Sequence, residues 1–99
     1  MIRHIVFWNL KEEAEGHSKM ENMQTIKAGL EGLVGKIDGL LRAEVNPNVN
    51  PTGGMDLCLY SEFTDLAALN AYRENPLHKE VQKFVHAVIT DRAANDSEI

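Results

Sequence analysis

Two stretches of the chain, IRHIVFWNL at residues 2–10 and MDLCLYSEF at residues 55–63, are apolar on both faces when read as extended. Side chains alternate along a strand. His4, Val6 and Trp8 then share one face of the first stretch, with Ile5 and Phe7 on the other. In the second, Leu57 and Leu59 oppose Cys58 and Tyr60. Both stretches are rich in the β-branched, aromatic and other large apolar residues that suit a pleated surface. Burying each large apolar side chain is worth about 1.5–3 kcal/mol, so a sheet built on these strands needs cover on both sides. The number of helices in the remainder therefore decides the architecture.

The remainder supplies helices enough for one face. From Ser18 the period changes: Met20, Met23, Ile26, Leu30, Leu33, Val34 and Ile37 recur at steps of three and four, which predicts an amphipathic helix. Ser18 and Glu21 have the spacing of a capping box. Gly29, Gly32 and Gly35 weaken the second half of this helix; their spacing allows close backbone approach, and Gly35 begins its termination. A second strand follows at about Leu40 to Asn46, and NPNVNPTGG reads as a loop closing a hairpin with the third strand. Thr64 or Asp65 caps a helix whose face is Leu66, Leu69 and Tyr72. Pro76 opens a short further helix, with Asn75 as its cap, and HAVITDR (residues 86–92) reads as the fourth strand. The tail, residues 93–99, has little to bury and is expected to fray.

The order is β-α-β-β-α-β, an α+β, ferredoxin-like arrangement with a four-stranded antiparallel sheet in one domain spanning residues 1–99. Right-handed crossovers place all helices on one sheet face. The other face stays apolar and open, the mark of an interaction surface. The expectation is a homodimer packed sheet to sheet. A net charge of −5 and a pI near 5.3 argue against a nucleic-acid partner. No apolar run reaches the length of a membrane span, and the short apolar N-terminus runs into KEE without a cleavage pattern. The single cysteine, Cys58, forms no intrachain disulfide. A cytoplasmic location is the default expectation.

Four segments, MIRHIVFWNLKEEA, IDGLLRAEVNPN, MDLCLYSEFTDLAALNAY and NPLHKEVQKFV, taken in order, resemble the stress-responsive dimeric α/β-barrel (Dabb) family over about residues 1–92. The most specific pieces are His4 in the first strand, the SEF-D-AL-AY stretch, and the spacing of Pro76, His78 and Val81. The resemblance implies a ferredoxin-like protomer whose sheet pairs with that of a second copy to close a barrel. It implies little about activity. The family includes plant stress-associated proteins, bacterial members without known activity, and a plant polyketide cyclase that closes a ring by aldol condensation. Some plant members hold a cation after the first helix, a region occupied here by LVGKIDG.

The cyclase's histidine–tyrosine pair matches His78 and Tyr72. A neutral imidazole can remove a proton beside a carbonyl, and a phenol can hydrogen-bond the developing oxyanion. With Pro76 at the first helical position, His78 sits in the first turn, where the helix dipole disfavours its charged form. Against catalysis, the same pair can simply pin two helical segments together. Ile26 and Lys27 stand where the cyclase has a further tyrosine, and Asn75 replaces a histidine. His4, Val6, Trp8, Ile26, Leu30 and Leu59 are the expected lining of a pocket between helices and sheet, unless Trp8 fills it. His17 and His86 lack partners at metal-ligand spacing, so no metal is expected, and no cofactor motif is present. The leading reading is a binder of a small apolar or aromatic ligand. The alternatives are a cofactor-independent cyclase, isomerase or lyase using His78 and Tyr72, or a purely structural dimer or assembly unit.

Overall fold

The computed structural model describes residues 1–99. The chain runs β1 (Ile2–Leu10), β2 (Glu13–Ala14), β3 (His17–Ser18), α1 (Lys19–Glu31), β4 (Leu40–Pro47), β5 (Leu57–Phe63), α2 (Leu66–Glu74), α3 (Pro76–Val88) and β6 (Ile89–Glu98). The main sheet has the order β4-β5-β1-β6, and all its neighbours are antiparallel. This is the ferredoxin-like α+β fold, with the helices on one face.

Local chemistry accounts for the element boundaries. Ser18 caps α1 in a reciprocal capping box: the Glu21 amide donates to Ser18 Oγ at 3.2 Å, and the Ser18 amide donates to Glu21 Oε1 at 3.0 Å. Asp65 caps α2 by accepting from the Ala68 amide at 2.8 Å. Asn75 caps α3 through the Leu77 amide, with Pro76 at its first position. Each such cap is worth about 1 kcal/mol. Gly29 allows α1 to approach α3: a Cβ there would meet Val81 Cγ1 at 3.0 Å. The helix ends at Gly32, earlier than its apolar period suggests. Leu33 and Ile37 still reach the core from the turns beyond, but Met20, Val34 and Leu66 are exposed.

The structure adds one small element and corrects two expectations. Glu13–Ala14 pairs with His17–Ser18 across a tight turn in which Glu15 (φ 53) and Gly16 (φ 78) are both left-handed. Helix α3 is long, and His86, Ala87 and Val88 belong to it; the apolar pattern of Val81, Phe84, Val85 and Val88 fits a helix face, and the strand starts only at Ile89. Residues 93–98 of the tail do not fray. They extend β6, in register from Ile2↔Glu98 to Trp8↔Arg92, because the free edge of β1 needs hydrogen-bond partners whatever the side chains of the last strand.

The core lies between the sheet and the helices. Val6, Ile26, Val45, Leu57, Phe63, Leu69 and Val88 are almost wholly buried. Helix α1 also grips the outer edge of β4. Lys27 Nζ donates to the Val45 carbonyl at 2.8 Å, and the Val45 amide donates to Glu31 Oε2 at 2.9 Å. On the other sheet face Phe7 is 41% exposed, among half-buried Ile5, Cys58 and Tyr60.

Candidate functional site

The inner sheet face is not packed uniformly. Beneath α2 and α3 a cavity of about 470 Å³ opens between helices and sheet. Its apolar wall is Val6, Trp8, Leu30, Leu59 and Val85, and its polar groups include His4, Tyr72 and His78. Arg73, Glu74, Lys79, His86 and Arg92 form an exposed rim, joined by half-buried Gln82. The volume is that of a site for a small organic molecule.

His4 is carried inward by the alternation of β1 and is 5% exposed. Its cross-strand partner on β6 is Asp96, and His4 Nδ1 is hydrogen-bonded to Asp96 Oδ1. The other oxygen, Asp96 Oδ2, accepts from Arg73 Nη2 of α2 at 2.8 Å. Burial lowers the pKa of His4, with Asp96 pulling the other way and Arg73 and Arg92 adding to the depression. Burial would raise that of Asp96, but His4 and Arg73 outweigh it and hold the carboxyl below its ordinary value. The pair at neutral pH is thus a carboxylate accepting from a neutral imidazole. With Nδ1 as the donor, the Nε2 lone pair of His4 is free to accept a proton or a hydrogen bond.

Tyr72 and His78 stack: their ring centroids lie 4.1 Å apart, with planes tilted by 36°. Tyr72 also meets Phe63 edge-on at 4.9 Å, and Phe63 meets His4 at 6.2 Å. The contact between Tyr72 and His78 is therefore ring on ring, not a hydrogen bond from one to the other. Burial pushes the Tyr72 phenol well above its ordinary pKa, so it stays protonated and can donate. Burial lowers the pKa of His78, opposed by the nearby Arg73 carbonyl. Nδ1 of His78 is buried without a hydrogen-bond partner in the chain. A neutral imidazole and an un-ionised phenol, side by side at a cavity wall, can accept and donate protons respectively.

Seven of the eight residues expected at the site, His4, Val6, Trp8, Leu30, Leu59, Tyr72 and His78, line this one cavity. Ile26 does not. It is wholly buried, one turn before Leu30, in the part of α1 adjoining the stretch that Asn22 ties to the β2–β3 hairpin through the Ala14 carbonyl. Trp8 forms wall without filling the space. Sequence reasoning missed Asp96, Arg73 and Arg92. An inward-facing histidine on β1 does call for a polar partner on a neighbouring strand, and Asp96 answers that call. Cys58 lies on the opposite sheet face, where burial raises the pKa of its thiol and keeps it unreactive. No three His, Cys, Asp or Glu side chains converge anywhere in the chain, and no helix is long and apolar enough to cross a membrane.

The chain is similar to several solved structures. A dimeric protein of unknown function with a ferredoxin-like fold from Bacteroides fragilis is 31% identical, with a TM-score of 0.89 over 99% of this chain and 95% of that one. A dimeric ferredoxin-like protein of unknown function from Jannaschia is 26% identical, with a TM-score of 0.79 over 99% and 98%. A hydroxynitrile lyase from Passiflora edulis shares the fold at 19% identity, with a TM-score of 0.78 over 99% of this chain and 92% of that one. No curated protein matches the sequence. The profile of the stress responsive A/B barrel domain matches residues 2–99, and with the ferredoxin-like fold and the histidine-lined cavity already in place, the chain belongs to that family.

Proposed function

We propose that the protein binds a small, largely aromatic or apolar molecule in the cavity between α2, α3 and the sheet. The observation that carries this reading is the cavity itself: about 470 Å³, walled by Trp8, Leu30 and Leu59, with His4, Tyr72 and His78 as polar groups. A well-packed domain of this size has little reason to keep such a space, since each void forfeits contacts. Trp8 is the sole tryptophan and stands on the wall, so binding is read from its emission. Titration with monocyclic aromatic compounds should give saturable changes in Trp8 fluorescence, and Val85→Phe, which fills the space without adding a second indole, should abolish them. Absence of any saturable response across such a panel would refute the reading and leave a structural role.

A second reading has its own support. The Asp96–His4 hydrogen bond orients one imidazole, and the stacked His78 and Tyr72 supply a base and a hydrogen-bond donor. This suits cofactor-independent proton transfer of the kind a cyclase, isomerase or lyase needs, with His78 as base and Tyr72 stabilising an oxyanion. The check is deuterium uptake at the methylene of phenylacetone followed by NMR. Catalysed exchange lost in His78→Gln and reduced in Tyr72→Phe supports it; exchange unchanged in both variants removes it.

We also infer that the protein works as a cytoplasmic homodimer, its outer sheet face buried against that of a second copy. Support comes from the apolar patch of Ile5, Phe7, Cys58 and Tyr60, from the dimeric relatives, and from the lone unpaired cysteine. Sedimentation at micromolar concentration should give twice the chain mass, and Phe7→Lys should give a folded monomer.

A further inference from the structure

The rim of the cavity carries a charge imbalance that its interior does not explain. The protein as a whole is acidic, with a net charge of −5, yet the cavity lining holds three permanent cations, Arg73, Lys79 and Arg92, against one carboxylate, Glu74. Two of the three are already engaged. Arg73 donates to Asp96 at 2.8 Å, and Lys79 pairs with Glu74 at 3.2 Å. Arg92 alone among them forms no salt bridge within the chain.

Its position is set by the sheet. Arg92 lies on β6 directly opposite Trp8 of β1, on the helix-covered face. A guanidinium is therefore stationed beside the largest aromatic surface of the cavity wall. Its charge is felt inside, since it opposes protonation of His4. A guanidinium is weakly hydrated and presents a planar fork of donors that matches a carboxylate. An apolar wall with a single free fork at its mouth fits a molecule that has an apolar body and one anionic end.

We propose that the ligand of this cavity is a small aromatic or apolar carboxylate, its carboxylate held at the mouth by Arg92 and its body laid against Trp8, Leu30 and Leu59. The inference rests on the cavity being a binding site, and it adds the chemical class of the occupant. Arg92 is assigned as the specificity-determining residue, and the imidazoles and Tyr72 face whatever lies deeper. A carboxylate is favoured over a larger dianion because one unpaired cation is available and the neighbouring Glu74 repels excess negative charge.

The test compares para-butylbenzoate with its neutral isostere para-butylbenzamide, titrated against Trp8 emission in the full chain at low salt. The carboxylate should bind about five- to tenfold more tightly than the amide, the scale of one charge-assisted contact at a partly solvated site. Arg92→Gln should erase that preference by lowering the affinity for the carboxylate to that for the amide, and Arg92→Lys should restore part of it. Lys36→Gln, a charge change in an exposed turn away from the cavity, should leave the preference intact. Equal binding of both compounds, or a preference that survives Arg92→Gln, overturns the assignment while the binding reading stands. Failure of both compounds to perturb Trp8, together with failure of the wider aromatic panel, overturns the binding reading and this inference with it.

Discussion

The inner face of the sheet has two halves, and they are built differently. On the side of β4 and β5 it presents Leu40, Val45, Leu57 and Phe63, each at most 5% exposed. On the side of β6 the residues of the same face are Arg92, Ala94, Asp96 and Glu98, the cross-strand partners of Trp8, Val6, His4 and Ile2. One half offers volume and the other offers small or charged side chains. Helices lie over both, so the second half retains a space. The cavity is therefore a product of composition in one edge strand, not of a loop or an insertion, and polar groups stand where the bulk is missing.

The contrast can be broken by truncating each half in the same way. Leu57 and Leu59 face inward on one strand, but Leu59 borders the cavity and Leu57 does not. Leu57→Ala should cost about 4 kcal/mol and Leu59→Ala about 2 kcal/mol, because a side chain already beside empty space loses fewer contacts. Urea unfolding of both variants measures this; equal costs would mean that the two halves are equally packed. Asp96→Asn should cost less, about 1 kcal/mol, since the hydrogen bonds it weakens are partly solvated.

A pH series sharpens the same comparison. Burial holds His4 and His78 below the ordinary histidine value. The unfolded chain then takes up protons that the folded chain declines. Unfolding free energy should fall as pH drops from about 7 through the ordinary histidine value of about 6.5 towards the lower folded values. The double variant His4→Gln/His78→Gln should flatten that part of the profile. Asp96, also depressed, adds a loss of the same sign only below the unfolded carboxylate range near pH 4. The smallest effect is expected for Tyr72→Phe, whose hydroxyl makes no hydrogen bond within the chain: a change within about 0.5 kcal/mol. In ligand titrations, by contrast, the variant should weaken binding of carbonyl-bearing compounds.

What could be read from the sequence followed the same division. The packed half announces itself through alternation in residues 2–10 and 57–63 and through the Ser18–Glu21 box at the start of α1, because burial and capping leave periodic marks. The junction of α3 and β6 is ambiguous in the sequence, because the apolar residues of HAV suit a strand as well as a helix and only packing on α1 decides. AANDSE has weak strand propensity and no bulk. It is extended because β1 requires a partner, a demand of the backbone that leaves no trace in side chains. Reading that segment as frayed hid Asp96, and with it the reason for His4. Arg73 and Arg92 look like ordinary surface charges until the sheet register sets one against Asp96 and the other beside Trp8. His78 and Tyr72 were legible only through the family resemblance and remain a proposal in their chemistry.

The grip of α1 on β4 has a consequence for how this molecule meets others. Val45 directs its amide and carbonyl away from β5, and Ala43 and Pro47 share that orientation by the alternation of an antiparallel edge. Glu31 and Lys27 occupy both groups of Val45, while Pro47 has no amide to offer. An incoming extended peptide would thus find one rung already taken and the next lacking a donor, so templated strand addition along this margin is blocked. In the proposed dimer the broad apolar face is the surface that meets a second copy, and contacts there saturate after two copies rather than propagating into a fibre.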